Sequence, residues 1–216
     1  MFDTITKELT HTQTRLVAVS KTKPNEQLMV LYDKGQRIFG ENYVQELVDK
    51  YESLPHDIQW HFIGHLQSNK VKYIAPFVSM IHSVDSLKLL QEINKQAIKN
   101  KRIIPCLLQF HIAEEETKFG LDTEGVLSFL ESDEFKGLKN IEICGVMGMG
   151  TFTDNKIQVQ KEFKTLKRIF DNLKNHYFST NPTFKEISMG MSDDYQLAMQ
   201  EGSTMVRIGS LIFGKR

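Results

Sequence analysis

The sequence predicts an α/β fold, a closed (β/α)8 TIM barrel, and two observations carry that expectation. Short apolar, β-branched runs recur eight times along the chain, and the stretches between them leave room for a helix in every gap. Strands alternating with helices indicate a parallel sheet, and eight such units are the count of this barrel. A doubly wound open sheet is the competing arrangement. It would want fewer strands or a visible break in the run, and its dinucleotide fingerprint G-x-G-x-x-G is absent. Gly145-Val146-Met147-Gly148-Met149-Gly150 is glycine-rich but wrongly spaced.

Taken in order, the strands begin near Leu16, Arg37, Gln59, Phe77, Ile103, Ile141, Phe184 and Met205. Helices are expected over residues 24–32, 41–51, 68–74, 86–98, 123–130, 156–173 and 193–200. Ser86 and Asp193 suit N-caps, and Pro24 suits a first helical turn. Gly35 and Gly202 fall where a helix should stop.

Composition fits an ordinary globular protein. The 216 residues carry 27 basic and 27 acidic side chains, a net charge of zero, which gives no electrostatic footprint for nucleic acid. Spread over eight units, 216 residues allow 27 per unit, so one barrel domain over residues 1–216 is expected, with almost nothing appended. No apolar stretch approaches the ~20 residues of a membrane span. The first residues lack a basic segment followed by an apolar run, so the expected location is cytoplasmic. Cys106 and Cys144 sit in apolar runs without a C-x-x-C, as buried reduced thiols would. The acidic triplet Glu114-Glu115-Glu116 reads as a solvated loop.

Barrel chemistry belongs at the carboxyl ends of the strands. Strand one runs into Ser20-Lys21-Thr22-Lys23-Pro24, and alternation puts Lys21 on the face of Val17 and Val19. If that face is the interior, the lysine must pair with an anion, become neutral, or form a covalent imine. Strand seven ends in Ser188-Met189-Gly190-Met191-Ser192-Asp193-Asp194 and strand eight in Arg207-Ile208-Gly209-Ser210. Loops after these two strands commonly build a phosphate site: Gly190 and Gly209 permit close backbone approach, while Ser192 and Ser210 supply hydroxyls. Arg207, between Val206 and Ile208, should face inward and needs either a structural carboxylate or a ligand atom. The spacing His61-x-x-x-His65 invites a metal reading, but the pair should straddle a turn. Met147, Met149, Met189 and Met191 read as barrel fillers or pocket walls, and Asp193 and Asp194 as helix-start charges.

These residues lie in stretches that resemble the pyridoxal phosphate homeostasis proteins, single-barrel relatives of the cofactor domain of alanine racemase. The likeness runs through Ala18-Val19-Ser20-Lys21-Thr22-Lys23-Pro24, Phe39-Gly40-Glu41-Asn42-Tyr43-Val44-Gln45-Glu46, Trp60-His61-Phe62-Ile63-Gly64 and Leu66-Gln67-Ser68-Asn69-Lys70. It continues in residues 188–194 and 202–214. The resemblance implies pyridoxal 5′-phosphate as cofactor, with Lys21 as its Schiff-base partner. It implies Asn42 as a polar contact near the ring, Arg207 as the partner of the pyridine nitrogen, and Ser192, Gly209 and Ser210 as the phosphate cradle. Lys118 matches a second lysine near the pocket. The sequence departs from the family's pattern at His65, often proline, at Ser210, often threonine, and in residues 146–150, usually a proline-bearing loop.

An imine forms from a neutral amine, so Lys21 needs burial or a neighbouring cation such as Lys23, Lys118 or Arg207. A guanidinium at the pyridine nitrogen leaves that atom unprotonated and weakens the ring as an electron sink. The resemblance therefore implies intracellular cofactor homeostasis, holding pyridoxal 5′-phosphate or passing it to apo-enzymes, with no substrate turnover expected. The alternative is an amino-acid racemase or related enzyme. Racemisation needs a base on each cofactor face, and racemases take the second, a tyrosine, from a further domain of the partner subunit. Here Tyr43 and Tyr195 fit helix faces at least as well. A third reading is a barrel that binds another phosphorylated metabolite without a covalent bond.

Overall fold

The computed structural model describes residues 1–114 and 120–214. Eight parallel strands close into a barrel in chain order: β1 (Arg15–Val19), β2 (Ile38–Glu41), β3 (Gln59–Phe62), β4 (Met80–Val84), β5 (Ile104–Phe110), β6 (Ile141–Gly148), β7 (Glu186–Ser188) and β8 (Met205–Ile208). β8 returns to β1 with Val17 opposite Arg207, which seals the barrel. The sequence reading places all eight. Its largest displacement is β4, expected from Phe77 and found from Met80, because the amides of Phe77 and Val78 bond back to the Ile74 carbonyl and prolong the preceding turn.

Around the barrel run α1 (Phe2–His11), α2 (Asn25–Asp33), α3 (Val44–Ser53), α4 (Val71–Ile74), α5 (Leu87–Lys99), α6 (Thr123–Leu130), α7 (Asp133–Lys136), α8 (Lys156–His176), α9 (Tyr195–Gln200) and α10 (Ser210–Phe213). Three of these are not anticipated by the sequence reading: α1, α7 and α10. Ile5 and Leu9 of α1 pack on Leu16, Val206 and Ile208, covering the outer face of β1 and β8. Ser86 caps α5 as expected, accepting from the Leu89 amide. Residue 41 ends a strand instead of opening a helix, so α3 starts three residues later than expected. Asp194, not Asp193, precedes α9, and its carboxylate accepts from the Met191 amide instead of capping the helix.

Strand alternation divides the apolar residues into two layers. Outward side chains such as Ala18, Phe39, Trp60, Phe62, Ile81 and Cys106 form the large core beneath the helices. Inward ones, Val17, Met80, Leu107, Cys144, Met147 and Met205, fill the barrel. Both thiols are free and buried, and burial pushes Cys144 up to about 12, as packing rather than reactivity requires. Met147 is a barrel filler, whereas Met189 faces the outer core. Gly145 has φ +152° and lies against the Glu186 backbone where a Cβ would collide with its carbonyl, so the β6–β7 pairing requires glycine there. Among the described residues no helix is long and apolar enough to cross a membrane.

Candidate functional site

Arg207 points into the barrel, as the alternation of Val206 and Ile208 requires, and is only 4% exposed. Its acceptors are not a carboxylate. Nη1 donates to the carbonyl and the hydroxyl of Ser188, both at 2.8 Å, and Nη2 donates to the Gly148 carbonyl at 3.0 Å. The buried carboxylate nearby, Glu186, pairs with Arg15 at 2.5 Å. Burial lowers the Arg207 guanidinium to about 10, with Asp194 opposing the shift, so it stays charged at neutral pH. Three of its five donors are used in those bonds, which leaves two for a ligand acceptor.

Beyond β7, Gly190 takes φ +95° with its Cβ position 2.6 Å from the Ala198 side chain, which turns the chain tightly over α9. Ser192 follows, and its hydroxyl accepts from the Leu211 amide at 3.4 Å. This bond brings the loop after β7 against the start of α10. Gly209 precedes that helix and sits against the Val19 carbonyl, while Ser210 is exposed. Ser192, Gly209 and Ser210 therefore occupy one corner of the barrel mouth, next to the end of β1.

Lys21 leaves β1 half-buried, two residues past Val19 and four past the inward Val17. Asn42 leaves β2 half-buried, and its Oδ1 is shielded from solvent without a hydrogen-bond partner. A buried, unanswered carbonyl is the kind of atom a ligand satisfies. Lys23, read from the sequence as a cation near Lys21, instead donates to the Phe213 and Gly214 carbonyls at 3.2 and 3.1 Å and closes the end of α10. Lys118 and most of the acidic triplet lie outside the described residues.

Sequence reasoning misses a charged cluster beneath this mouth: Glu41, Glu46 and Lys50, joined by Lys50 Nζ contacts of 2.7 Å to each carboxylate. It also misses a buried chain in which His61, His82 and Ser188 lead to Arg207. His61 and His65 do not converge: the first bonds to His82 inside the barrel, and the second is exposed beside Asp85. Among the described residues no group of three or more His, Cys, Asp or Glu side chains could hold a metal ion. Tyr195 donates to Glu8 of α1 at 2.8 Å, on the outer layer, and Tyr43 is 56% exposed at the head of α3.

The geometry defines a closed (β/α)8 barrel, with its candidate site at the carboxyl ends of the strands. Residues 2–216 match the family model "Alanine racemase, N-terminal domain". The chain is 40% identical over 203 residues to the pyridoxal phosphate homeostasis protein of Aquifex aeolicus, covering 94% of this chain and 87% of that one. It is 39% identical over 220 residues to the human protein of the same name, covering 97% and 79%. Among solved structures, PipY of Synechococcus elongatus with PLP bound superposes with a TM-score of 0.81 at 32% identity, covering 94% and 93%. The chain thus belongs to the alanine racemase N-terminal domain family, and within it to the pyridoxal phosphate homeostasis proteins.

Proposed function

We propose that this chain binds pyridoxal 5′-phosphate at the mouth of its barrel and serves the homeostasis of that cofactor. The observation that carries the reading is the meeting of β1 and β8: Val17 lies opposite the inward Arg207, and Lys21 stands in the turn that follows β1 at the same end of the barrel. Lys21 would be the covalent anchor, its amine the group available to condense with the cofactor's aldehyde with loss of water. Arg207 offers its spare donors to the pyridine nitrogen, Asn42 Oδ1 accepts from a ring substituent, and Ser192, Gly209 and Ser210 receive the phosphate. The cofactor can supply stabilisation of an adjacent carbanion, but a charged Arg207 at the ring nitrogen weakens that capacity. Tyr195, held by Glu8 on the outer layer, supplies no base to the opposite face.

The same reading has a single barrel act as a monomeric cytoplasmic carrier that hands the cofactor to apo-enzymes, with Lys118 as a second amine near the pocket. Borohydride reduction of the protein mixed with cofactor, followed by peptide mapping, tests it. A reduced adduct on Lys21, absent in Lys21→Ala, is expected. Saturable binding that borohydride never makes permanent would instead favour a non-covalent phosphate-ester barrel. Exchange of amino-acid α-protons in deuterated water at a turnover rate would favour the racemase.

A further inference from the structure

The two residues that flank Lys21 are both tied to one buried ammonium group. Ser20 donates its hydroxyl proton to Glu41 Oε1 at 2.6 Å, and its carbonyl accepts from Lys50 Nζ at 2.7 Å. That ammonium also donates to Glu41 Oε1 and Glu46 Oε1, both at 2.7 Å. Glu46 Oε1 in turn accepts the backbone N–H of Thr22 at 2.5 Å. Lys50 therefore directs each of its three donors at a protein oxygen, two of them on groups that grip the chain on either side of Lys21.

Stability alone does not call for such a cluster. Lys50 is 4% exposed and Glu41 fully buried, and a well-packed apolar pair of similar volume is commonly as stable as a buried ion pair. Ions add direction. Glu46 and Lys50 stand one turn apart on α3, and through them the helix fixes the Ser20 carbonyl and the Thr22 amide. Thr22 is held at φ +62°, a left-handed conformation that a β-branched residue rarely adopts unless its surroundings impose it. The Lys23 amide bonds back to the Ser20 carbonyl at 3.0 Å, so the loop carrying Lys21 is a closed turn with both shoulders clamped.

We propose that Lys50, acting through Glu41 and Glu46, is the positioning residue of this site, fixing the backbone on both sides of Lys21 so that its amine meets the aldehyde carbon of the ligand. The proposal rests on Lys21 being the covalent anchor. Positioning predicts a selective defect: attachment through C=N suffers, whereas recognition of ring and phosphate does not. Pyridoxine 5′-phosphate, which carries an alcohol in place of the aldehyde, reports recognition alone.

The experiment compares the affinities of pyridoxal 5′-phosphate and pyridoxine 5′-phosphate in the full chain and two variants. Glu46→Ala removes the acceptor of the Thr22 amide from a half-buried position and leaves the Lys50–Glu41 pair in place. The double change Glu41→Gln with Lys50→Met removes the buried charges together while conserving volume. In either variant the aldehyde's affinity should fall on the order of tenfold or more, as a displaced reacting group demands, while that of the alcohol changes by less than about twofold. Glu46→Gln, which keeps an acceptor for the Thr22 amide, should recover most of the aldehyde's affinity. Equal loss for both ligands, or none for either, in variants that melt cooperatively overturns the positioning role. A wild-type chain that forms no borohydride-stable adduct on Lys21 overturns the covalent reading, and the positioning role with it.

Discussion

His61 and His82 face each other inside the barrel, Nδ1 of the first 2.9 Å from Nε2 of the second. His82 Nδ1 lies 3.0 Å from the Ser188 hydroxyl, which accepts from Arg207 at 2.8 Å. Because a guanidinium can only donate, Ser188 is free to direct its own proton at His82 Nδ1. With the serine proton so directed, the His82 proton would sit on Nε2 and be donated to His61. In that arrangement polarity runs from Arg207 toward His61 with neither ring charged.

Burial keeps both imidazoles neutral, His61 at about 3 and His82 well below its ordinary 6.5, with His61, Arg207 and Arg15 reinforcing the shift at His82. In the unfolded chain both take up protons near pH 6.5, so the folded state is the one that refuses them. Their contribution to stability is full above about pH 6.5 and is lost as pH falls below it, by about 1.4 kcal/mol per unit for each imidazole that the fold keeps neutral, down to about pH 3 for His61. Glu41 works in the opposite sense. Burial, the largest influence, raises its carboxyl, so acidification relieves a penalty there. Urea unfolding at pH 7 and pH 5 should show lower stability at pH 5, and His61→Gln should flatten the difference. An undiminished slope in that variant would show that the acid sensitivity originates elsewhere.

Ser188→Ala takes an acceptor from Arg207 and a partner from His82, all within the barrel interior. The Ser188 carbonyl remains on the guanidinium, so the arginine keeps part of its shell. The unanswered His82 nitrogen should lower unfolding free energy by about 1–3 kcal/mol in urea titration. Wild-type stability in this variant would mean that the serine does not link the two residues.

How much of this was legible in the sequence follows from what each feature depends on. The inward placement of Arg207 and of the strand leading to Lys21 follows from a two-residue period, which a strand cannot evade without a bulge. Glu46 and Lys50, by contrast, look in sequence like any solvated helical pair four residues apart. Their burial arises because the turn at Asn42 and Tyr43 rolls α3 over the end of β1, and no local pattern encodes that. The His61-x-x-x-His65 spacing points to the wrong partner, since the residue that meets His61 belongs to the neighbouring strand β4. Helix α1 is amphipathic, with Phe2, Ile5 and Leu9 on one face, and it escapes notice because it precedes β1, whereas the βα alternation points to helices only between strands.

Tyr195→Phe separates the carrier from the racemase. The phenol donates to Glu8 and ties α9 to α1 across the outside of the barrel, and the bond raises the tyrosine above its usual range after burial has done the same. Its removal should lower stability by about 1 kcal/mol, the net worth of one such bond, and leave cofactor capture unchanged. A variant that captures the cofactor more weakly at unchanged stability would place Tyr195 in the pocket.

Phosphate binding by the corner of Ser192, Gly209 and Ser210 can be tested apart from the covalent bond. Ser192 Oγ accepts from the Leu211 amide at a long 3.4 Å, which contributes little to folding and leaves the hydroxyl proton to be donated to a phosphate oxygen. Ser192→Ala should therefore leave the melting transition almost unmoved while weakening pyridoxine 5′-phosphate binding by roughly tenfold, the worth of a hydrogen bond to a charged group. Gly190→Ala probes the same corner from the folding side. The added methyl group would stand 2.6 Å from the Ala198 side chain on a backbone at φ +95°, so α9 must shift and stability must drop. Calorimetric titration with pyridoxine, which lacks the phosphate, supplies the control: its weak binding should be indifferent to Ser192→Ala. Equal loss for pyridoxine and its phosphate would remove Ser192 from the cradle.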